Sequence, residues 1–297
     1  MKANETLTEL IENLDCDSSL NISDKDIQMQ ENPLARGGFG EVYMAKWCKR
    51  NVVIKIISAN SEEEKQAVKC ETKLSLRLSH PNVIKPFGIA WVKLNKPGIL
   101  MEKAEHGSLD VWIGKMNQEK LTKIALGIID GLEHVHSQNM MHRNIKPQNI
   151  LMFGPKDDVI PKIADFGVSK VIETAITTNT RVGIDMHIAP EVRANLQYNF
   201  SADIFSLAIM LFEMFSNQLI SRASNEVKRF ITGIQTGGSG KIPKSCKVPL
   251  YLRNVIERGW SRKPDERATL SDFRSTLHGE YFFILYVFFN STMSVNE

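Results

Sequence analysis

A two-lobed α+β fold, a small strand-rich lobe ahead of a larger helical one, follows from three features of this 297-residue sequence. The first third is dense in β-branched runs and glycine turns. The remainder shows apolar residues stepping by three and four along the chain. The texture changes near Lys103–His106, which marks a joint between two unlike lobes. Composition agrees: 42% hydrophobic and 24% charged residues describe a globular chain and exclude a disordered, collagen-like or polytopic membrane protein.

In chain order, residues 1–30 read as a mobile acidic arm, with a short helix across Leu7, Leu10, Ile11 and Leu14. Eight acids against Lys2 and Lys25 give the first 32 residues a charge of −6. The chain as a whole is +3, too mild to imply nucleic-acid binding by itself, so an acidic arm precedes a body of +9. Leu34 to Ala45 reads as strand, glycine turn, strand, and the apolar run Val52–Ile57 as a buried strand. Ser61 with Glu64 three residues later is a capping box opening a helix to about Leu78. Strands at Val83–Val92 and Gly98–Met101 follow. Leu121, Ile124, Ala125, Ile128, Ile129, Leu132 and Val135 form the apolar face of a long helix. Short strands are expected at Ile150–Phe153 and Val159–Ala164, and a helix buried on most sides at Ala202–Phe215. Further helices fit Glu226–Thr232, Leu250–Arg258 and Leu270–Leu277.

The first chemical candidate is the turn Ala35-Arg36-Gly37-Gly38-Phe39-Gly40-Glu41-Val42. Glycines let a hairpin backbone approach phosphates and aim N–H groups at them, although such a hairpin is commonly only a turn. Thirteen residues after Val42, Lys55 sits inside an apolar strand. A lysine there needs a partner, for which Glu71 is the candidate, or an edge position from which it reaches water. Farther on come His142-Arg143-Asn144-Ile145-Lys146-Pro147-Gln148-Asn149, Asp165-Phe166-Gly167 and Ala189-Pro190-Glu191.

In this order and spacing the segments resemble the eukaryotic protein-kinase family, whose signature is a Gly-rich loop, a strand lysine, H-R-D-x-x-x-x-N, D-F-G and A-P-E. The resemblance extends to Asp203 and Arg267 and covers about residues 33–278. It implies a bilobal kinase fold over residues 31–278: an N-lobe at 31–102 with one helix, a hinge at 103–106 and a mainly helical C-lobe at 107–278. It implies ATP and Mg²⁺ as cofactors. By that resemblance Gly37, Gly38 and Gly40 cover the phosphates, and Lys55, held by Glu71, pairs with them. Ala35, Val42, Val53 and Leu151 line the nucleotide site, while Met101, Glu102 and Ala104 border the base. Asp165 and Asn149 would hold the metal, and hard oxygen donors suit Mg²⁺. Glu191 with Arg267 would form a structural ion pair, and Asp203 would anchor the catalytic loop. Lys146-Pro147 fits the Ser/Thr pattern.

Three departures stand out. Asn144 occupies the position of the family's catalytic aspartate, beside Lys146, and an amide has no basic lone pair to take the substrate proton. General-base catalysis is typically worth 10²–10⁴-fold, roughly 3–5 kcal/mol of barrier. Positioning and metal electrostatics carry much of phosphoryl transfer, so impairment is expected more than complete loss. Ile184 and His187 replace the threonine and tyrosine of the family's Gly-Thr-x-x-Tyr segment. Ser75 replaces an apolar residue one turn after Glu71, which would weaken packing there. Ala35 and Val53 add methyl groups around the base. Thr174, Thr177, Thr178 and Thr180 read as a polar loop, with phosphorylation and pairing to Arg143 as the alternative.

The function expected is that of a pseudokinase or strongly impaired kinase of the Ser/Thr type, a switch or scaffold in signalling that binds ATP and Mg²⁺. One alternative is a weakly active kinase acting on a protein hydroxyl, and a second is an interaction module with an empty nucleotide cleft. Four scattered cysteines, with no C-x-x-C pair, fit reduced thiols in a cytoplasmic or nuclear protein. The tail 279–297 holds the nine-residue apolar run Tyr281–Phe289, too short to span a bilayer and prone to aggregation if exposed. No transmembrane span is expected, and no protein partner or substrate is named by the residues.

Overall fold

The computed structural model describes residues 21–37, 40–93, 95–165, 186–236 and 240–279. These fall into two compact units, one of residues 21–79 and 84–103, the other of residues 80–83, 104–165 and 186–279. The helix expected over Leu7–Leu14, Gly38, the activation-segment threonines, Ile184 and the run Tyr281–Phe289 lie outside the described residues.

The first unit is a six-stranded sheet with one helix. Its elements are β1 (Asn21–Ile22), β2 (Ile27–Gly37), β3 (Gly40–Trp47), β4 (Arg50–Ile57), α1 (Glu62–Arg77), β5 (Pro86–Val92) and β6 (Lys96–Glu102). The strand order is β1-β5-β6-β4-β3-β2. The acids of residues 21–30 suggest a mobile arm, but Asn21–Ile22 and Ile27 onward are strands of the sheet, joined by a 3₁₀ turn at Asp24–Asp26. Asn21 and Ile22 pair in parallel with Ile89 and Ala90, and β2 starts at Ile27. The reason is apolar burial: Ile22, Ile27 and Met29 pack on the cluster of Tyr43, Ala45, Val52, Ile54 and Leu100. Along β2 the register shifts on both sides of Pro33, which lacks an N–H and is tolerated because β2 is an edge strand. The capping box is present at the start of α1, with Glu64 N–H donating to Ser61 Oγ at 3.2 Å and Ser61 N–H to Glu64 Oε2 at 3.2 Å.

The second unit comprises α2 (Gln118–Ser137), the hairpin β7 (Ile150–Phe153) and β8 (Ile160–Ile163), and α3 (Pro190–Arg193). It continues with α4 (Ser201–Ser216), α5 (Asn225–Thr236), α6 (Leu250–Gly259) and a last helix, α7, at 270–279. Every residue of α4 from Ala202 to Ser216 is buried, as its near-continuous apolar sequence predicts. Phe212 meets Trp260 edge-on at 5.8 Å, which ties α4 to the end of α6. Residues 80–83 are fastened to this unit by Asn82, whose Nδ2 donates to Pro161 O at 2.9 Å and whose carbonyl accepts from Ile163 N–H at 2.8 Å. Gly131 of α2 makes that approach possible, since a Cβ there would lie 2.6 Å from Asn82 O.

Candidate functional site

The register of the first unit places most of its predicted site residues on one face. Ala35 stands opposite Val42, Gly37 opposite Gly40, Val42 opposite Lys55 and Val53 opposite Met101. Side chains alternate along a strand, so Ala35, Gly37, Gly40, Val42, Val53, Lys55 and Met101 share a face. Glu102 pairs with Val52 and belongs to the other. Lys55 is half-buried and flanked by Val42 on β3 and Ile99 on β6. Because β4 is an interior strand, the edge-lysine reading of Lys55 fails.

The same face carries Ile57 and Ile99, which pack with Val68 of α1 and with Met101. Helix α1 therefore lies over the face that bears Lys55, and Glu71 is three residues after Val68. Ser75 is buried with its Oγ donating to Glu71 O at 2.9 Å, so the hydroxyl is satisfied within the helix. Gly40 is demanded by packing: its φ is +149° and a Cβ there would lie 2.0 Å from Ile56 O.

The second unit organises its loop around one carboxylate. Asp203, 1% exposed, accepts from His142 N–H (2.8 Å), Arg143 N–H (2.6 Å) and His136 Nε2–H (2.9 Å). Burial alone would raise its pKa, but the hydrogen bonds from His136 and from the His142 backbone N–H hold it below the usual carboxylate value. His142 is fully buried, and burial lowers its pKa, which favours the neutral ring. Its Nε2–H donates to Ala164 O at 3.0 Å and its Nδ1 accepts Asn144 N–H at 3.3 Å. One neutral tautomer satisfies both bonds.

Asn144 is also held at its carbonyl, which accepts from Asn149 Nδ2 at 2.7 Å. Asn149 in turn accepts Ala164 N–H on its own carbonyl at 2.8 Å. The chain thus links Asn144, Asn149 and the residue preceding Asp165. Because the Asn149 Nδ2 is committed to Asn144, its Oδ1 is the atom that can face a cation. Arg143 and Asp165 both take left-handed backbone, at φ 68° and 69°, an uncommon conformation for residues with side chains. Lys146 is half-buried just before the 3₁₀ turn Pro147–Asn149. Leu151 pairs with Lys162 across the β7–β8 hairpin and bridges to Ser108, and half-buried Ala104 opens this unit.

Among the described residues no group of three or more His, Cys, Asp or Glu side chains gathers to hold a metal. Asn149 and Asp165 carry hard oxygen donors of the kind that would suit Mg²⁺, an ion usually held by one or two carboxylates with waters and substrate phosphates.

Sequence reasoning missed three residues. His136, near the end of α2, bonds the Asp203 carboxylate and has a side chain only 13% exposed. His134 stacks on His80 at 5.1 Å. Glu213, 2% exposed, accepts from His187 Nε2–H at 2.8 Å and from Ile220 N–H at 2.7 Å. The available signal was the apolar run of α4 itself: two acids in a buried helix require donors from elsewhere. Beside His187, Gln235 Nε2 donates to Met186 O at 2.5 Å and Ser206 Oγ to His187 O at 2.7 Å. Glu191 and Arg267 form a bidentate pair at 2.6 and 2.8 Å, both buried, with further Arg267 bonds to the Ser201 and Ser261 carbonyls.

The protein kinase domain model matches residues 29–282. Over 254 residues, 83% of the chain, the sequence is 29% identical to the probable serine/threonine-protein kinase gdt4 of Dictyostelium discoideum. Over 258 residues, 84% of the chain, it is 30% identical to mitogen-activated protein kinase kinase kinase 7 of Homo sapiens. The chain spans 15% and 41% of the lengths of these two relatives.

Proposed function

The chain belongs to the protein kinase family, and from that premise we propose that it is an ATP- and Mg²⁺-binding pseudokinase of the Ser/Thr type, a switch or scaffold whose phosphotransfer is strongly impaired. The observation that carries this reading is Asn144. It stands where the family's acid would accept the substrate proton, in a loop otherwise held in place by Asp203, His142 and Asn149. The loop can present a group at position 144, but the group presented is an amide.

Lys55, with the glycine turn, would take the nucleotide phosphates, and Asn149 Oδ1 with Asp165 would take the metal. Mg²⁺, when bound, neutralises charge on the phosphates. What this chain's own residues supply is position and charge: a lysine on an interior strand, two hard oxygens and an ordered loop. A hydroxyl near Asn144 Oδ1 would be oriented by a hydrogen bond and would keep its proton.

A second reading, a slow Ser/Thr kinase, draws support from Lys55, Lys146, Asn149 and Asp165, since positioning and electrostatics carry much of phosphoryl transfer. One assay separates the two. Phosphotransfer by the native chain, Asn144→Asp and Asp165→Asn is compared on a general protein substrate with ATP and Mg²⁺. The pseudokinase reading expects Asn144→Asp to exceed the native rate by about 10²–10⁴-fold. A native rate within about threefold of Asn144→Asp, abolished by Asp165→Asn, would establish the slow kinase instead. Nucleotide binding is read separately, as a rise in Tm with ATP-Mg²⁺. No rise at millimolar ATP in a folded sample overturns it.

A further inference from the structure

Positive charge is concentrated in one stretch of the second unit. Between Arg222 and Lys263 stand ten lysines and arginines and two acids, Glu226 and Glu257, a net of +8 in a chain whose total is +3. Some of these cations have internal roles. Arg253 donates to the carbonyls of Ile242, Pro243, Cys246 and Val248. Lys241 pairs with Glu257, Arg258 with Asp272 and Lys263 with Glu266, at 2.8, 3.0 and 2.6 Å. Arg222, Lys228, Arg229, Lys244, Lys247 and Arg262 have no carboxylate partner among the described residues. Five of these six are held close together. Ser245 Oγ lies 3.4 Å from Glu226 Oε1, so the loop bearing Lys244 and Lys247 sits against the first turn of α5, with Arg222 just ahead of that turn and Lys228 and Arg229 just after it.

An apolar anchor stands beside this charge. Leu250, three residues after Lys247, opens α6 and is 85% exposed. Leu250, Asn254, Glu257 and Arg258 are spaced as one stripe of that helix. Asn254, Glu257 and Arg258 line an open groove of about 390 Å³ with Lys241, Arg262 and Glu266. Both glutamates are paired, to Lys241 and Lys263, which leaves Arg262 as the cation of the groove without a carboxylate partner among the described residues.

We propose that this face docks an extended acidic segment of a partner protein, one of whose large apolar side chains covers Leu250. Unpaired cations beside an exposed leucine complement an acidic peptide carrying an apolar residue. A concave groove fits a peptide chain, whereas a bilayer presents a broad surface. Trp260, which lines the groove, is buried and presents no open ring face for a nucleic-acid base to stack on. The proposal does not depend on nucleotide binding.

The probe is a fluorescein-labelled glutamate-rich peptide of about a dozen residues with one central leucine, and binding to the full chain is followed by anisotropy. Lys244→Glu/Lys247→Glu is expected to weaken binding about tenfold or more, and Leu250→Ser severalfold, with loss of affinity as salt rises. Arg229→Glu gives the same direction and serves if the double variant does not fold. Lys46→Glu, at an exposed position on β3 of the first unit, leaves binding unchanged. The proposal is overturned if the peptide does not bind or if Lys46→Glu weakens it equally. It is also overturned if phosphatidylserine vesicles or a short single-stranded DNA bind more tightly through the same residues.

Discussion

Two regions of the second unit treat their polar groups in opposite ways. Around Asp203 a buried carboxylate collects two backbone N–H groups and a histidine N–H, and nearby the buried Arg267 grips Glu191 with two bonds. At position 144, two residues from His142, the side chain makes no hydrogen bond among the described residues: both bonds of Asn144 there run through its main chain. The difference teaches which groups of a kinase scaffold its fold depends on and which it does not. Charges that support the fold are buried and bonded from several elements, so changing them disturbs the structure. The group that would do the chemistry is attached to the fold by its backbone alone, and an acid can become an amide there without cost to the architecture.

The strongest way to break this contrast is at Arg267. Arg267→Ala leaves Glu191 buried without its partner and should cost about 3–5 kcal/mol, on the order of 10 °C in Tm for a domain of this size. Replacing both partners with apolar residues of similar volume should cost much less. Thermal melts of the three chains decide it. A loss below about 1 kcal/mol for Arg267→Ala would put the pair in the class of exposed ion pairs and remove half of the contrast.

Next in size is Asp203→Asn. The amide keeps one acceptor but turns its NH₂ toward a backbone donor, so at least one buried N–H loses its partner. The expected loss is about 2–3 kcal/mol by urea denaturation. Asn144→Asp in the same experiment should change stability by about 0.5 kcal/mol or less. If the two substitutions cost alike, position 144 supports the fold after all.

Much of this was legible in the residues, for stated reasons. Periodicity located α2, a near-continuous apolar run located α4, and the capping box located the start of α1, because those signals lie within a few residues of each other. Asp203 could be singled out because an acid in an apolar helix needs donors, yet nothing local pointed to His136, which meets it from another helix. Glu213 carried the same signal and was passed over. The sheet position of Ile27–Met29 was hidden by neighbouring acids, although Ile27-Gln28-Met29-Gln30 alternates with the period of a strand. The shared face of Ala35, Gly37, Gly40, Val42, Val53, Lys55 and Met101 needed strand register, which no single segment encodes.

The smallest effect probes the residue that joins the two regions. His142 contacts Asp203 through its N–H, Ala164 through Nε2 and Asn144 through Nδ1, and burial lowers its pKa from the ordinary 6.5. The folded ring therefore stays neutral at a pH where the unfolded ring takes a proton. Stability from this group is constant above 6.5 and declines as pH falls below it, toward the folded pKa. His80 is shifted the same way by burial and by His134, so the native chain alone would report both groups. The difference between the native chain and His142→Gln isolates one. Gln keeps a donor but has no titratable ring, so its stability deficit should shrink as pH falls from 6.5 to 5.5, by at most about 1 kcal/mol. Urea denaturation of both chains at the two pH values measures it. A deficit that does not change with pH would mean that His142 keeps an ordinary pKa, and the tautomer that links Ala164 to Asn144 would lose its physical basis.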